Sequence, residues 1–130
     1  MSIYESTEKM YQILGDLWNQ ILDHPVNGPK LKEANIIVKF NITDPKGTIW
    51  ITPNDGVILG DASLTPDIEQ TLSGDTIHKY WLKQISGPVA MATGKIKSKG
   101  SLMKGMKLNP LLSPAYTVYP ELVEKYGIKG

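Results

Sequence analysis

The sequence predicts an α+β domain. An amphipathic helix opens the chain, a run of short alternating strands follows, and the rest mixes short helices with one further strand. The chain has 130 residues, the usual size of one domain, and we expect residues 1–130 to fold as a single unit. Hydrophobic residues make up 41% of it and charged residues 21%, which is typical of a folded protein with one core.

Residues 3–23 are predicted to form the first helix. Apolar side chains recur there at intervals of three and four residues and share one face: Met10, Leu14, Leu17, Trp18, Ile21 and Leu22. Ser2 and Glu5 have the spacing of a capping box at its start. Pro25 is expected to end the helix, because the residue before a proline avoids helical backbone angles. We interpret residues 25–29 as a connector.

A strand meander is predicted next. Alternating apolar side chains indicate short strands at 35–43, 48–52, 57–59 and 61–64. Turns at 44–47 and 53–56 separate the first three, and the Asp-Gly pair in the second turn is a strong hairpin signal. Trp50 is expected on the opposite strand face from Ile49 and Ile51.

Helices are predicted around one last strand. A helix is expected from Thr65 to Gly74, because proline is favoured at the first helical position and glycine just after the last. Asp75 is placed to cap a second helix. The remaining predicted elements are a helical turn at 88–93, a strand at 95–99, a helix capped by Ser101 and a short helix at 121–126.

Composition excludes several classes of function. The chain has no cysteine, which excludes disulfide scaffolds and thiol nucleophiles. It has no arginine, which argues against a nucleic-acid partner. Residues 1–75 carry 5 Lys against 11 Asp and Glu, whereas residues 76–130 carry 9 Lys against 2 Glu, so the basic half is suited to an anionic partner. The first residues do not resemble a secretory signal, and the apolar runs are shorter than a membrane span requires, so we expect a cytoplasmic protein.

A resemblance rests on motifs between Ile49 and Leu108. They are the strands and turn around Trp50 and Asn54-Asp55-Gly56, the short strand at 61–64 with the following helix to Leu72-Ser73-Gly74, and the segment 90–100 with the apolar helix through Met106. In the last segment, a turn that contains alanine is followed by Gly-Lys-Ile-Lys, then by a glycine and a helix. This order and spacing resembles the sterol carrier protein type 2 family of lipid-binding domains.

The resemblance implies a five-stranded twisted sheet covered by helices, with an apolar ligand tunnel between the sheet and the C-terminal helices. Family members bind fatty acids, acyl-CoA, sterols or other lipids and have no catalytic residues of their own. Two features depart from the family pattern. The loop between the second and fourth strands is short, and Ser98 stands where an apolar residue is expected. Because Ser98 shares a face with Ile96, we expect it to meet a polar part of the ligand or a water.

The predicted cavity lining comes mainly from the late helices, whose flexible methionines adapt to the shape of a lipid. The candidate residues are Trp81, Met91, Ser98, Met103, Met106, Leu108, Leu111, Leu112, Tyr116 and Tyr119. The alternative for each of them is ordinary core packing. Trp18, Phe40 and Trp50 are expected to pack in the core and not to contact ligand.

A basic patch is predicted after Gly94. Its members are Lys95, Lys97, Lys99, Lys104 and Lys107. They are candidates for contact with an anionic membrane surface or with the phosphates of an acyl-CoA. The alternative is a solvated sheet face that resists pairing with other strands.

Catalysis is not expected. His24 and His78 are the two histidines of the chain, and neither has a second histidine, a carboxylate or a nucleophile at catalytic or metal-ligand spacing. No cofactor and no metal are therefore predicted. The sequence predicts lipid binding or transfer, and it leaves open an interaction or dimerisation module that uses the same apolar groove. The oligomeric state is not predicted.

Overall fold

The computed structural model describes residues 3–128. It consists of a five-stranded sheet with helices packed on one face. The helices are α1 (Thr7–Leu22), α2 (Asn27–Ala34), α3 (Gly74–Trp81), α4 (Gly87–Ala92), α5 (Leu102–Leu108) and α6 (Ala115–Lys125). The strands are β1 (Val38–Thr43), β2 (Lys46–Thr52), β3 (Gly56–Leu59), β4 (Ile68–Leu72) and β5 (Ile96–Gly100). A short 3-10 turn, Asn109–Leu112, connects α5 towards α6.

The sheet has the strand order β3-β2-β1-β4-β5. The first three strands form the predicted antiparallel meander, β4 pairs parallel to β1, and β5 pairs antiparallel to β4. Because β4 lies beside β1, the segment 60–67 has to pass β2 and β1. Its ends are held by backbone hydrogen bonds from Gly60 N–H to the Thr48 carbonyl and from Asp67 N–H to the Ile37 carbonyl. This confirms the predicted five-stranded α+β fold.

Strand pairing decides which side chains face the helices. The cavity-facing row across the sheet contains Ile49 on β2, Phe40 on β1, Gln70 on β4 and Ser98 on β5. Neighbouring residues in each strand point to the other side, because side chains alternate along a strand. Trp50 is on that other side and is 2% exposed, with the Lys39 ammonium 5.1 Å from its ring centroid.

The first helix begins later than predicted. Ser6 caps it by accepting a hydrogen bond from the Lys9 N–H, so α1 starts at Thr7. Glu5 lies before the cap, and Ser2 is outside the described residues. The predicted apolar face is confirmed, since Met10, Leu14 and most of its other members are buried.

Two predictions between Asp61 and Gly74 were wrong. Residues 61–64 form no strand, and the predicted helix after Thr65 is strand β4. A spacing of four residues, as between Ile68 and Leu72, places two side chains on one face of a helix and equally on one face of a strand. The neighbouring strands β1 and β5 decide between the two, because they satisfy the backbone groups of β4 on both sides.

Three helix boundaries also differ from the prediction. The expected connector at 25–29 contains the start of α2, where Pro29 is tolerated because the first turn of a helix has free N–H groups. Ser73 caps α3, and Asp75 lies in its first turn. The last helix, α6, begins at Ala115 instead of near residue 121.

Candidate functional site

A cavity of about 690 Å³ lies between the sheet and the helices that cover it. This volume is within the range of roughly 300–1,000 Å³ that small-molecule sites occupy. The sheet supplies its floor: Val38, Phe40, Ile42, Ile49, Ile68, Gln70, Leu72, Ile96 and Ser98. All but two of these side chains are apolar, so the floor is suited to a hydrocarbon ligand.

Helices supply the roof of the cavity. Its side chains come from α1, α3, α4, α5 and the 3-10 turn: Leu14, Trp18, Ile77, Tyr80, Trp81, Met91, Leu102, Met106, Leu108 and Leu112. Gly105 also lies in this wall, and a Cβ atom placed there would be 3.8 Å from Ile68 Cδ1. The absence of a side chain at Gly105 therefore leaves open space between α5 and the floor.

An aromatic cluster forms part of the wall. The Trp18 ring lies 5.6 Å from Phe40 and 6.2 Å from Trp81, and Trp81 lies 4.8 Å from Tyr80, all measured between ring centroids. The two Trp81 contacts are edge contacts and the Trp18–Phe40 contact is tilted, and such arrangements favour defined ring orientations. The cluster gives the cavity a rigid side, in contrast to the flexible methionines of α4 and α5.

Gln70 and Ser98 are the polar side chains of the floor. They are directly opposite each other in the β4–β5 register, and both line the cavity. Neither side chain forms a hydrogen bond with any other described residue of the chain. An amide and a hydroxyl in this position can donate to a carboxylate or a carbonyl oxygen and accept from a hydroxyl.

The cavity opens between α4 and α5. The exposed large apolar side chains of the wall are Leu102 and Met106 on α5 and Met91 on α4, and Ser98 on the edge strand β5 is exposed as well. The deeper floor residues Val38, Ile49 and Ile68 are buried, so the exposed wall residues mark the mouth. The polar pair on β4 and β5 lies on the floor at the same side of the sheet as α5.

The structure brings six of the ten predicted cavity residues together in the wall. They are Trp81, Met91, Ser98, Met106, Leu108 and Leu112. Their contact with a ligand remains a proposal.

The other four predicted residues lie outside the cavity wall. Met103 points to solvent from α5, and the Leu111 carbonyl accepts a hydrogen bond from the Asn27 side chain of α2. Tyr116 packs behind the roof, 5.4 Å from the ring of Trp81. Tyr119 is fully buried, with its hydroxyl bonded to Tyr4 and His78. The helical spacing that suggested these residues did not reveal which face of each helix meets the sheet.

Trp18 and Phe40 were expected to be core residues only, and both line the cavity. The floor strands β1 and β4 were also missing from the predicted site. The alternation of Val38, Phe40 and Ile42 was a usable signal, because a strand buried on one face has to meet either a helix or a ligand there.

The predicted lysines are divided between two elements. Lys97 and Lys99 lie on the face of β5 that points away from the cavity, and Lys95 directly precedes that strand. Lys104 and Lys107 lie on α5. Of these two, Lys104 forms an ion pair with Asp67, at 2.6 Å between Nζ and Oδ1.

Asp67 fixes the start of α5 to the sheet. Its second carboxylate oxygen accepts the Ile37 N–H at 2.8 Å. This hydrogen bond and the Lys104 side chain hold the pKa of the Asp67 carboxyl below its usual value. The carboxylate therefore connects β1, β4 and α5 beside the mouth.

Both histidines have structural partners outside the cavity wall. The Nδ1 atom of His24 accepts the N–H groups of Val26 and Asn27 at the start of α2. His78 is buried, with its Nδ1 atom 2.7 Å from the Tyr119 hydroxyl. Burial lowers the pKa of the His78 imidazole, which favours its neutral form.

Comparison with known protein families matches residues 18–113 to the SCP-2 sterol transfer family. The match covers most of the chain and includes every strand and the cavity floor. The chain belongs to this family. The resemblance predicted from the sequence is thereby confirmed, together with the lipid-carrier class that it implied.

Relatives of this SCP-2 chain agree in fold. A fatty acid-binding protein of Yarrowia lipolytica is 27% identical in an alignment of 114 positions that covers 82% of this chain and 88% of the relative. The sterol carrier protein domain 2 of Helicoverpa armigera has a TM-score of 0.68 at 20% identity and covers 83% of this chain and 89% of its own. The apo sterol carrier protein 2 of Yarrowia lipolytica has a TM-score of 0.59 at 23% identity, covering 78% and 88%. Between residues 3 and 128 of the SCP-2 chain, no helix is long and apolar enough to cross a membrane.

Proposed function

We propose that this SCP-2 chain binds one acyl lipid, with the hydrocarbon tail in the cavity and the polar end at Gln70 and Ser98. The observation that carries the proposal is the apolar cavity of about 690 Å³ between the sheet and the helices. The Yarrowia relative, a fatty acid-binding protein, supports a fatty acid as the first ligand to test.

The wall of the cavity supplies the binding energy for the tail. Each methylene that leaves water for an apolar wall contributes about 0.8 kcal/mol. A tail of a dozen methylenes would gain about 10 kcal/mol before the cost of ordering the ligand is subtracted. The rigid rings of Trp18 and Trp81 and the flexible Met91 and Met106 together accommodate chains of different length and unsaturation.

The polar end of the ligand is placed by the only polar pair on the described floor. A carboxylic acid or carboxylate at Gln70 and Ser98 satisfies the amide and the hydroxyl, which otherwise require water. A ligand without a polar group offers no partner to the half-buried amide of Gln70, whereas the exposed Ser98 hydroxyl can keep water. We therefore infer that a fatty acid or a similar acyl lipid binds more tightly than a plain hydrocarbon of equal length.

The ligand is carried without chemical change in this proposal. The described cavity wall contains amide, hydroxyl and phenol groups but neither histidine nor carboxylate. His78 is held by Tyr119 and does not line the cavity, although Ile77 and Trp81 of the same helix do. A lipid turnover activity that His78→Ala abolishes would contradict this part of the proposal.

Direct titration with a fluorescent fatty acid, followed by displacement with unlabelled palmitate, tests the proposal. Gly105→Leu places a branched side chain in the open space above Ile68, and we expect it to weaken binding by at least about tenfold. Gly105→Ala is the matched control, because its Cβ makes only an ordinary contact with Ile68 and alanine favours the helix. Equal binding by both variants would contradict the cavity as the binding site.

A further inference from the structure

Helix α5 presents apolar side chains to solvent. Leu102 is 75% exposed, Met103 is 82% exposed and Met106 is 68% exposed. No residue of this helix is buried. Single exposed apolar residues are common on protein surfaces, whereas a group of three on one short helix marks an interaction surface.

Helix α5 has one side that faces the cavity and another that faces solvent. Gly105 faces the sheet floor at Ile68, so the other side of the helix faces outward. Met103 and Lys107 are four residues apart and share that outward side. Leu102 and Met106, also four residues apart, both line the cavity and reach solvent. The helix therefore joins the cavity mouth to the outer surface by a continuous apolar edge.

Helix α4 adds apolar side chains on the opposite rim of the mouth. Val89 and Met91 are both about half exposed, and Met91 lies in the cavity wall. The mouth is therefore bordered by apolar residues from two helices. A lipid tail that leaves the cavity here passes between these side chains.

Basic residues dominate the part of the sequence that contains α4, β5 and α5. The sequence contains no Asp or Glu between Asp75 and Glu121, whereas seven lysines lie in this interval. Lys104 is neutralised by Asp67, but Lys107 forms no ion pair within the described residues. An apolar edge beside free lysine is complementary to an interface that offers both anionic headgroups and hydrocarbon.

We propose that α5 docks on an anionic phospholipid bilayer, with Met103, Leu102 and Met106 in the interfacial layer and Lys107 at the headgroups. This inference rests on the proposed function, because it assigns the surface through which the acyl lipid enters the cavity. A second copy of the chain is a poorer occupant of the same surface. A two-fold contact through α5 would place the Lys107 side chains of both copies in one interface without a carboxylate on that helix, and like charges repel.

Vesicle co-sedimentation tests the docking surface. The protein is mixed with vesicles of phosphatidylcholine alone, or of phosphatidylcholine with phosphatidylglycerol, at low and at high salt. We expect binding to the anionic vesicles only, and weaker binding at high salt because ions screen the lysines. Met103→Glu and Lys107→Glu should each weaken binding by roughly tenfold or more.

Val26→Glu is the matched control, since Val26 is an apolar side chain 55% exposed on the N-terminal side of α2. It should bind anionic vesicles like the unmodified protein. Fatty acid titration of the same proteins without vesicles separates the two proposals, because Met103 and Lys107 lie outside the cavity wall.

Four outcomes decide the inference. Loss of vesicle binding in Met103→Glu with fatty acid binding retained supports it. Equal loss in Val26→Glu, or no binding to anionic vesicles by the unmodified protein, overturns it even where the cavity binds fatty acid. A mass that doubles with concentration and returns to one chain in Met103→Glu also overturns it, in favour of a second copy.

Discussion

The Nδ1 atom of His78 lies 2.7 Å from the hydroxyl of Tyr119, and that hydroxyl lies 2.6 Å from the hydroxyl of Tyr4. The three side chains are buried and come from α3, α6 and the segment before α1. A hydrogen-bonded chain of buried groups fixes the elements that carry it. Here it fixes α3, which also supplies Ile77 and Trp81 to the cavity roof.

The tautomer of His78 follows from its surroundings. Its Nε2 atom is buried and has no hydrogen-bond partner among the described residues. An unpaired nitrogen lone pair costs less than an unpaired N–H, so we infer that Nδ1 carries the proton and donates to Tyr119. Protonation of the ring would add an N–H at Nε2 in a buried position.

Removing the Tyr119 hydroxyl, which bonds both Tyr4 and His78, is expected to destabilise the fold. In Tyr119→Phe the two buried hydrogen bonds to Tyr4 and His78 are lost. We expect the free energy of unfolding to fall by about 1–3 kcal/mol. Urea denaturation monitored by tryptophan fluorescence measures the change. Tyr126→Phe is the control, since the Tyr126 hydroxyl bonds Asp16 near the surface and its loss should cost less than about 1 kcal/mol. Equal losses of unfolding free energy in the two variants would contradict a special role for the buried hydrogen bonds of Tyr119.

Acid is expected to weaken the fold through His78. Burial lowers the pKa of its imidazole, so the unfolded chain binds the proton more readily than the folded chain. The stabilisation is complete above the unfolded pKa of about 6.5 and is lost as the pH falls below it. Unfolding free energies measured from about pH 7.5 down to about pH 5 should decrease for the unmodified protein and decrease less for His78→Gln. Parallel curves for the two proteins would be inconsistent with this assignment.

Gln70 and Ser98 are expected to select the polar end of the ligand. Gln70→Leu and Ser98→Val each remove a polar group from the floor, and we expect fatty acid binding to weaken by roughly fivefold to tenfold in each, as for one lost hydrogen bond. Binding of the corresponding methyl ester or hydrocarbon should change less. Thr71→Val serves as control, because Thr71 follows Gln70 on β4 and faces the other side of the sheet. A similar loss of fatty acid affinity in Thr71→Val would contradict a specific role for Gln70 and Ser98.

Gly100 is expected to tolerate no side chain. Its φ is +113°, a region that only glycine occupies readily, and a Cβ atom there would overlap the Asp67 carbonyl oxygen at the joint of β5 and α5. We expect Gly100→Ala to destabilise the protein by about 3 kcal/mol or more. In Gly94→Ala, where φ is +77° and no atom lies near, the loss should be about 1 kcal/mol. Thermal unfolding of the two variants gives the comparison, and equal midpoints would contradict it.

Local signals in the sequence were sufficient for most elements of the fold. The apolar face of α1, the hairpins from β1 to β3 and the Ser101 cap of α5 each depend on residues close together in the chain. Strand β4 did not follow from such signals, because its identity depends on β1 and β5, which are distant in sequence. The start of α2 was hidden by the glycine and proline in its first turn.

The site was harder to predict than the fold. Methionine and leucine in the late helices pointed to a cavity, and Met91, Met106 and Leu108 do line it. The spacing within a helix could not show that Met103 faces solvent while Met106 reaches the wall. That distinction requires the packing of α5 above β4, which is a tertiary property.

The most direct test is native mass spectrometry of the protein as purified, followed by organic extraction and lipid analysis. We expect a bound acyl lipid at close to one molecule per chain, lost in Gly105→Leu and retained in Gly105→Ala. A protein that is empty as purified, and that also fails to bind a fluorescent fatty acid, would contradict the assignment of this cavity to a lipid.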